Sequence, residues 1–287
     1  MKRNPLTAAK SAFTRTSALV AAMACTASLT AADYEWTFSL GNLSPALGDG
    51  TMDYADAATP GLTTFGTTDG TTVPHINGQV GAFMRVPAFT SGANGYNLTF
   101  TSTGPNGGGG YVNNYTLVFD VLSPASINWT PFFNTDPNNN NDADFYAAAD
   151  GSIGIGALGY SSAGLFAPNT WYRIGVSIGT GGLAYYVNGT SVFTGAAPSL
   201  DGRFALYSNL DAGPDMRLFN EGDGSGVYTH ELLVSDVFFT DRTMSAAEIG
   251  ALGGPNALGV VVPEPGTIAL LALGGLTIGF WRRARSR

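Results

Sequence analysis

Between residues 33 and 255 the sequence consists of short β-forming runs separated by Gly, Asn, Asp and Pro, without a long amphipathic helical period. In one run, Tyr172, Ile174, Val176 and Ile178 alternate with polar or small residues, so one face of that strand is apolar. Strands are predicted from many such runs, and examples are Tyr115–Leu122, Trp171–Ile178, Leu183–Val187 and Glu231–Phe239. This pattern over about 220 residues predicts an all-β two-sheet sandwich or jelly roll.

Two local motifs add detail to this prediction. Asn188-Gly189 stands between two β-forming runs and favours a two-residue hairpin. Ser245 and Glu248 have the spacing of a capping box, which predicts one short helix. Gly253 and the following Gly-Pro end that helix.

The first 32 residues have the pattern of a secretory signal peptide. Basic residues precede an apolar run at Ala18–Leu29, and small residues before Asp33 form a cleavage pattern. The alternative is a buried N-terminal helix. A lipoprotein signal at Cys25 would need a bulky aliphatic residue where Ala22 stands. Cleavage after residue 32 removes the only cysteine, so the mature protein would contain no disulfide.

The carboxyl end has a different pattern. Pro263, Glu264 and Pro265 precede an apolar stretch over residues 266–281, predicted as a hydrophobic helix. Its 16 residues fall short of the ~20 needed to span a bilayer comfortably. The stretch is closed by an arginine cluster that favours the cytoplasmic side of a membrane: Arg282, Arg283 and Arg285.

This order of features over residues 262–287 closely resembles the PEP-CTERM sorting signal of Gram-negative bacteria. The resemblance implies that exosortase, a membrane transpeptidase, recognises Pro263, Glu264 and Pro265 and processes the tail. It also implies a precursor held transiently in the inner membrane and a product at the cell surface or in the extracellular matrix. A plain C-terminal anchor is the alternative.

A second resemblance covers the middle of the chain. The Trp171-Tyr strand, the strand ending in Asn188-Gly189, and the closing strand and helix over residues 231–252 are similar to the laminin-G-like, concanavalin A-like jelly roll. The predicted organisation is a signal peptide at 1–32, a laminin-G-like sandwich at 33–254, a linker at 255–261 and the sorting signal at 262–287.

Charge limits the partners of this domain. From Asp33 to Val261 the chain carries 20 acidic residues and 5 arginines, a net charge of −15 with neutral histidines. Nucleic-acid binding depends on Lys and Arg that neutralise phosphates. Nucleic acid is therefore excluded as a main partner.

The sequence lacks the residue pattern expected of a catalytic site in this fold. Glucanases of similar fold place Glu-x-Asp-x-x-Glu on one strand, and no such spacing occurs here. Glu231 and Asp236 are five residues apart, which places them on opposite faces of a strand. His75 and His230 lack a metal-binding spacing and are interpreted as ordinary loop or strand-start residues. We therefore expect no catalytic residues.

One acidic, Asn-rich loop suggests a calcium site. An EF-hand is excluded because Asn141 and Ala147 stand where that loop requires Gly and Glu. A looser site remains open beside the alternative of a solvated hairpin tip. Its candidate ligands are Asp136, Asp142 and Asp144.

Glycan binding needs an aromatic platform with hydrogen-bonding groups beside it. The candidates are Trp129, Phe132, Asn138 and Asn140, whereas Trp36, Trp171 and Phe204 are predicted to lie in the core. The function predicted from the sequence is a non-catalytic, polysaccharide-binding or adhesive surface module. The alternatives are a glycan-active hydrolase or lyase and a purely structural surface component.

Overall fold

The computed structural model describes residues 33–101, 103–135, 143–207, 215–220 and 230–260. The predicted signal peptide and the sorting tail lie outside these ranges. The described chain is mostly β and contains two short helices, α1 (Thr59–Leu62) and α2 (Ala246–Leu252). In the described ranges, no helix has the length and apolar character needed to cross a membrane.

The strands are numbered in chain order. They are β1 (Asp33–Trp36), β2 (Thr51–Tyr54), β3 (Thr64–Thr67), β4 (Ala82–Val86), β5 (Tyr96–Thr99), β6 (Tyr115–Leu122), β7 (Thr130–Asn134), β8 (Phe145–Ala147), β9 (Ile153–Ile155), β10 (Gly159–Tyr160), β11 (Trp171–Gly179), β12 (Gly182–Val187), β13 (Thr190–Gly195), β14 (Met216–Leu218) and β15 (Leu232–Thr240).

These strands form two antiparallel sheets, as the jelly-roll prediction requires. The larger sheet has the order β13-β12-β11-β6-β15-β4-β3, and β1 also pairs with β15. The smaller sheet has the order β10-β9-β8-β7-β14-β5-β2. The predicted hairpin is present, because Asn188-Gly189 joins the antiparallel pair β12 and β13 and both residues have positive φ.

The core lies between the two sheets. Ile174, Val176 and Ile178 face it from β11, which confirms the predicted apolar face. Phe239 of β15 stacks on Phe100, with ring centroids 3.8 Å apart. The predicted core residues Trp36, Trp171 and Phe204 are all buried.

The outer face of the larger sheet is covered as well. Helix α2 has the predicted capping box between Ser245 and Glu248, which satisfies amides at its first turn. Its Ile249 packs with Val118 and Phe238 on that face, and Val260 joins the same cluster. Residues 255–260, predicted as linker, therefore lie against the sandwich.

Candidate functional site

Trp129 is a large aromatic side chain that the described surface leaves exposed, with 40% of its area accessible. It stands immediately before β7, and its φ of +47° is uncommon for a bulky residue. Its ring meets those of Tyr146 and Tyr160 edge-on, with centroids 6.3 Å apart in each case. The two tyrosines hold the indole in place at the surface, where a flat apolar ring can receive a ligand.

A row of polar residues crosses the same sheet. Asp53 of β2 is the direct cross-strand partner of Asn97, and Arg217 of β14 lies between Asn97 and Asn134. Asn97 alternates with the core residues of β5, so this row is on the outer face. Asn134 is fully buried, so the accessible part of the row consists of Asp53, Asn97 and Arg217. Their carboxylate, amide and guanidinium groups can donate and accept several hydrogen bonds.

Arg217 differs from the other arginines of the domain. Four of the five form salt bridges with described carboxylates, whereas Arg217 does not. Its Nη1 donates to the carbonyl of Gly92 at 2.9 Å, and its Nε lies 3.4 Å from Oδ1 of Asn97. Burial lowers the pKa of Arg217, against the opposing effect of Asp56. Its guanidinium therefore keeps hydrogen-bonding capacity on the outer face.

The prediction of Phe132 as a ligand-binding residue is wrong. Its side chain is fully buried, and its ring packs against those of Phe119 and Phe145 at 5.6 and 5.7 Å. A β-bulge between Pro131 and Phe133 interrupts the alternation along β7. The usual alternation of inward and outward side chains along a strand therefore does not predict that the Phe132 ring is buried.

Asp144 does not fit the predicted role of calcium ligand. Its Oδ1 accepts from Nε of Arg203 at 2.5 Å, and its Oδ2 accepts from the amide of Thr135 at 2.8 Å and from the hydroxyl of the same residue. Burial raises the pKa of Asp144, although these partners oppose the shift. Both oxygens of the Asp144 carboxylate thus bind other residues of the domain.

The remaining loop candidates lie outside the described residues: Asp136, Asn138, Asn140 and Asp142. Among the residues that are described, no group of three His, Cys, Asp or Glu is placed to hold a metal. Calcium binding by the loop stays a prediction.

The sequence reasoning missed a cluster of buried charges on the outer face of the larger sheet. Arg173 binds Asp120 in a bidentate pair, with its Nε 2.7 Å from Oδ1 and its Nη2 2.6 Å from Oδ2. Asp236 is the cross-strand partner of Asp120, and Glu35 of β1 lies beside it. All four side chains are buried. The alternation along β11 puts Arg173 on the face opposite Ile174 and Val176, but its partner Asp120 is 53 residues away in the sequence.

Three carboxyl groups therefore share one arginine in this cluster. Burial, followed by the charges of Glu35 and Asp120, raises the pKa of Asp236 well above its usual range, although Arg173 opposes the shift. Asp236 consequently holds its proton to higher pH than an exposed carboxyl group does.

The residues weighed for catalysis have separate surroundings. Glu231 forms a salt bridge with Arg85, whereas Asp236 lies in the buried cluster. Nδ1 of His75 is 3.1 Å from the hydroxyl of Thr68. His230 precedes β15 at a half-buried position. That the protein is not an enzyme stays a prediction.

Solved structures that are similar to parts of this chain come from several kinds of protein. Domain 4 of an extracellular arabinanase from Geobacillus stearothermophilus, in complex with arabinotriose, is 15% identical over 78% of this chain and 98% of its own, with a TM-score of 0.48. The botulinum neurotoxin serotype G binding domain is 13% identical over 77% and 50%, with a TM-score of 0.48. Trypanosoma rangeli sialidase is 14% identical over 59% and 27%, with a TM-score of 0.41.

The carboxyl end gives a direct family match. No curated protein matches the sequence. Residues 261–284 match the PEP-CTERM protein-sorting motif, which confirms the predicted sorting signal. The match includes Pro263, Glu264 and Pro265, whose role in recognition stays a prediction. The motif is generally recognised by exosortase, which supports the predicted sorting partner. The chain thus carries a PEP-CTERM motif and is an exported protein with a C-terminal sorting signal.

Proposed function

We propose that this exported protein is a cell-surface or extracellular-matrix component of a Gram-negative bacterium, whose laminin-G-like sandwich binds glycans without cleaving them. The exposed indole of Trp129 is the observation that carries this proposal. A sugar ring has an apolar face of C–H groups, and a fixed exposed indole offers a complementary apolar plane. The two tyrosines at its edge limit its movement and so lower the entropy lost on binding.

The backbone of Trp129 supports a functional rather than a structural role. A left-handed conformation is strained for a bulky residue, and such strain concentrates at ligand-binding positions. The exposed ring contributes less to the core than a buried one would. The position therefore has features expected of a residue kept for ligand contact.

The polar row supplies the second requirement of a glycan site. β7 begins beside Trp129 and ends at Asn134, the cross-strand partner of Arg217, so Trp129 and Arg217 are about 17 Å apart along the strand direction. That separation suits an oligosaccharide rather than a single sugar. The domain's net charge of −15 disfavours polyanions, so neutral glycans are the expected ligands.

A glycan array with the purified exported protein tests the proposal. We expect retention on neutral oligosaccharides, and Trp129→Ala should weaken it about tenfold, equivalent to ~1.4 kcal/mol. Trp129→Phe, which keeps an aromatic ring, should retain part of the binding. Leu200→Ala removes an exposed apolar side chain elsewhere and should change nothing.

Three results would count against the proposal. Retention that is indifferent to Trp129→Ala would place the binding surface elsewhere. Release of saccharide from the array would favour the enzyme alternative, and absence of retention on every glycan would favour a purely structural component.

A further inference from the structure

The last described segment, residues 253–260, is hydrogen-bonded to residues of the buried charge cluster. We call this segment the C-terminal clamp. Nη1 of Arg173 donates to the carbonyl of Leu252, just before the clamp, at 2.8 Å, and its Nη2 donates to the carbonyl of Gly259 at 3.3 Å. The amide of Asn256 donates to Oδ2 of Asp120 at 3.1 Å. One buried ion pair thus contacts the residue before the clamp and two residues within it, Asn256 and Gly259.

The final residue of the clamp is bound to the first strand. The amide of Val260 donates to Oε1 of Glu35 at 2.6 Å, and the Val260 side chain is buried. Glu35 belongs to β1, which pairs with β15. This contact exists only in a chain whose β1 has joined the sheet, so docking of the clamp depends on folding of the domain.

Gly259 is fitted to this position. Its φ is +106°, a conformation that favours glycine, and an added Cβ would lie 2.5 Å from Oε1 of Glu35 and 2.9 Å from Oδ2 of Asp236. A larger residue cannot occupy the place without moving the chain away from the two carboxyl groups.

The sorting motif follows almost at once. Two residues, Val261 and Val262, separate the docked Val260 from Pro263. Three extended steps span at most about 10 Å. A processing enzyme that holds more than two residues ahead of Pro263 must therefore take residues that the clamp keeps on the domain.

We propose that Glu35, Asp120 and Arg173 position the sorting tail, and that the docked clamp competes with the processing enzyme for the chain ahead of Pro263. In a folded precursor, cleavage waits for local release of the clamp. Local release of a terminal segment requires much less free energy than global unfolding. The folded domain thereby sets the rate at which its tail is processed.

Pulse-labelled full-length precursor in a bacterium that contains exosortase tests this proposal through the conversion of precursor to the shorter product. Eight Gly/Ser residues inserted between Val260 and Val261 add up to about 26 Å of reach and leave every clamp contact in place. We expect this variant to be processed about tenfold faster, because capture no longer waits for local opening. Its melting temperature should equal that of the unmodified protein.

Gly259→Val tests the same competition by displacing the clamp, and it should also speed processing. Leu258→Ala is the matched control, because this side chain belongs to the same segment but is 76% exposed. It should be processed at the original rate. If Gly259→Val prevents folding, the spacer variant decides alone. An unchanged or slower rate in the spacer variant would overturn the proposal.

Discussion

The outer faces of the two sheets carry similar polar residues, but these residues have different roles. On the larger sheet, Asp120, Arg173 and Asp236 are buried beneath α2 and the C-terminal clamp. Hydrogen bonds of Asp120 and Arg173 hold the chain that leads to the sorting motif. On the smaller sheet, Asn97 and Arg217 remain partly exposed.

This difference shows how burial decides the role of a polar residue. A buried charge must be matched within the protein, and therefore its partners are fixed and its removal is costly. A partly exposed polar group keeps hydrogen-bonding capacity for an external ligand. The covered face thus positions the tail, and the open face is the surface proposed for glycans.

The largest effect is expected in the core that both faces share. Phe132→Ala should lower the free energy of unfolding by about 3–5 kcal/mol, because it empties a fully buried site between Phe119 and Phe145. Urea denaturation measures the loss. Under conditions where the variant is folded, its glycan binding should be unchanged. A variant of normal stability with weaker binding would restore Phe132 as a ligand residue.

The comparison between faces predicts a smaller but still large effect for Arg173. Arg173→Met leaves Asp120 buried without its cation and should cost about 3 kcal/mol. Arg217→Met, on the open face, removes a hydrogen bond to the carbonyl of Gly92 and a long one to Asn97, and should cost about 1 kcal/mol. Both are measured by urea denaturation. Equal costs would show that the two faces do not differ in how they use arginine.

The third prediction concerns pH. The pKa of Asp236 is raised in the folded state, so unfolding releases its proton at any pH above about 4. The free energy of unfolding that Asp236 contributes therefore declines as pH rises toward the folded pKa. The facing groups are Glu35, Asp120 and Arg173. Asp236→Asn should flatten the decline and raise the free energy of unfolding at pH 8 by roughly 1–2 kcal/mol. Thermal melts between pH 5 and 8 measure both effects.

Asp69→Asn is the control for this pH profile. Three backbone amides lower the pKa of Asp69 to about 2, so its contribution to stability is lost as pH falls, below about pH 4. This variant should therefore keep the original slope between pH 5 and 8. A flattened slope in Asp69→Asn, or an unchanged slope in Asp236→Asn, would contradict the assignment.

Local sequence signals predicted much of the fold, because they act within a few residues. The Asn188-Gly189 turn, the Ser245–Glu248 capping box and the apolar alternation along β11 all occur as expected. The sorting motif was also predictable, since its features are contiguous.

The charge cluster was not predictable by the same means. Asp120 and Arg173 are 53 residues apart, and the amide of Val260 meets Glu35 across 225 residues. Such contacts depend on strand order and register, which local patterns do not specify. The sequence pattern does not distinguish Trp129 from Phe132 as aromatic ligand candidates. The turn before β7 exposes Trp129, whereas Phe132, at the bulge within β7, is buried.

The smallest effect on stability is expected at Trp129, where the effect on binding should be large. Trp129→Gly relieves a left-handed backbone but loses the edge contacts with Tyr146 and Tyr160. The gain from relieved backbone strain and the loss of the ring contacts oppose each other, and each is of order 1 kcal/mol. The free energy of unfolding should therefore change by less than about 0.5 kcal/mol. Urea denaturation and glycan binding are measured on the same sample. Trp129→Ala keeps the strain and loses the ring, so it should be the less stable of the two. If Trp129→Gly were destabilised by several kcal/mol, the ring would be structural, and a loss of binding could no longer be assigned to the open face.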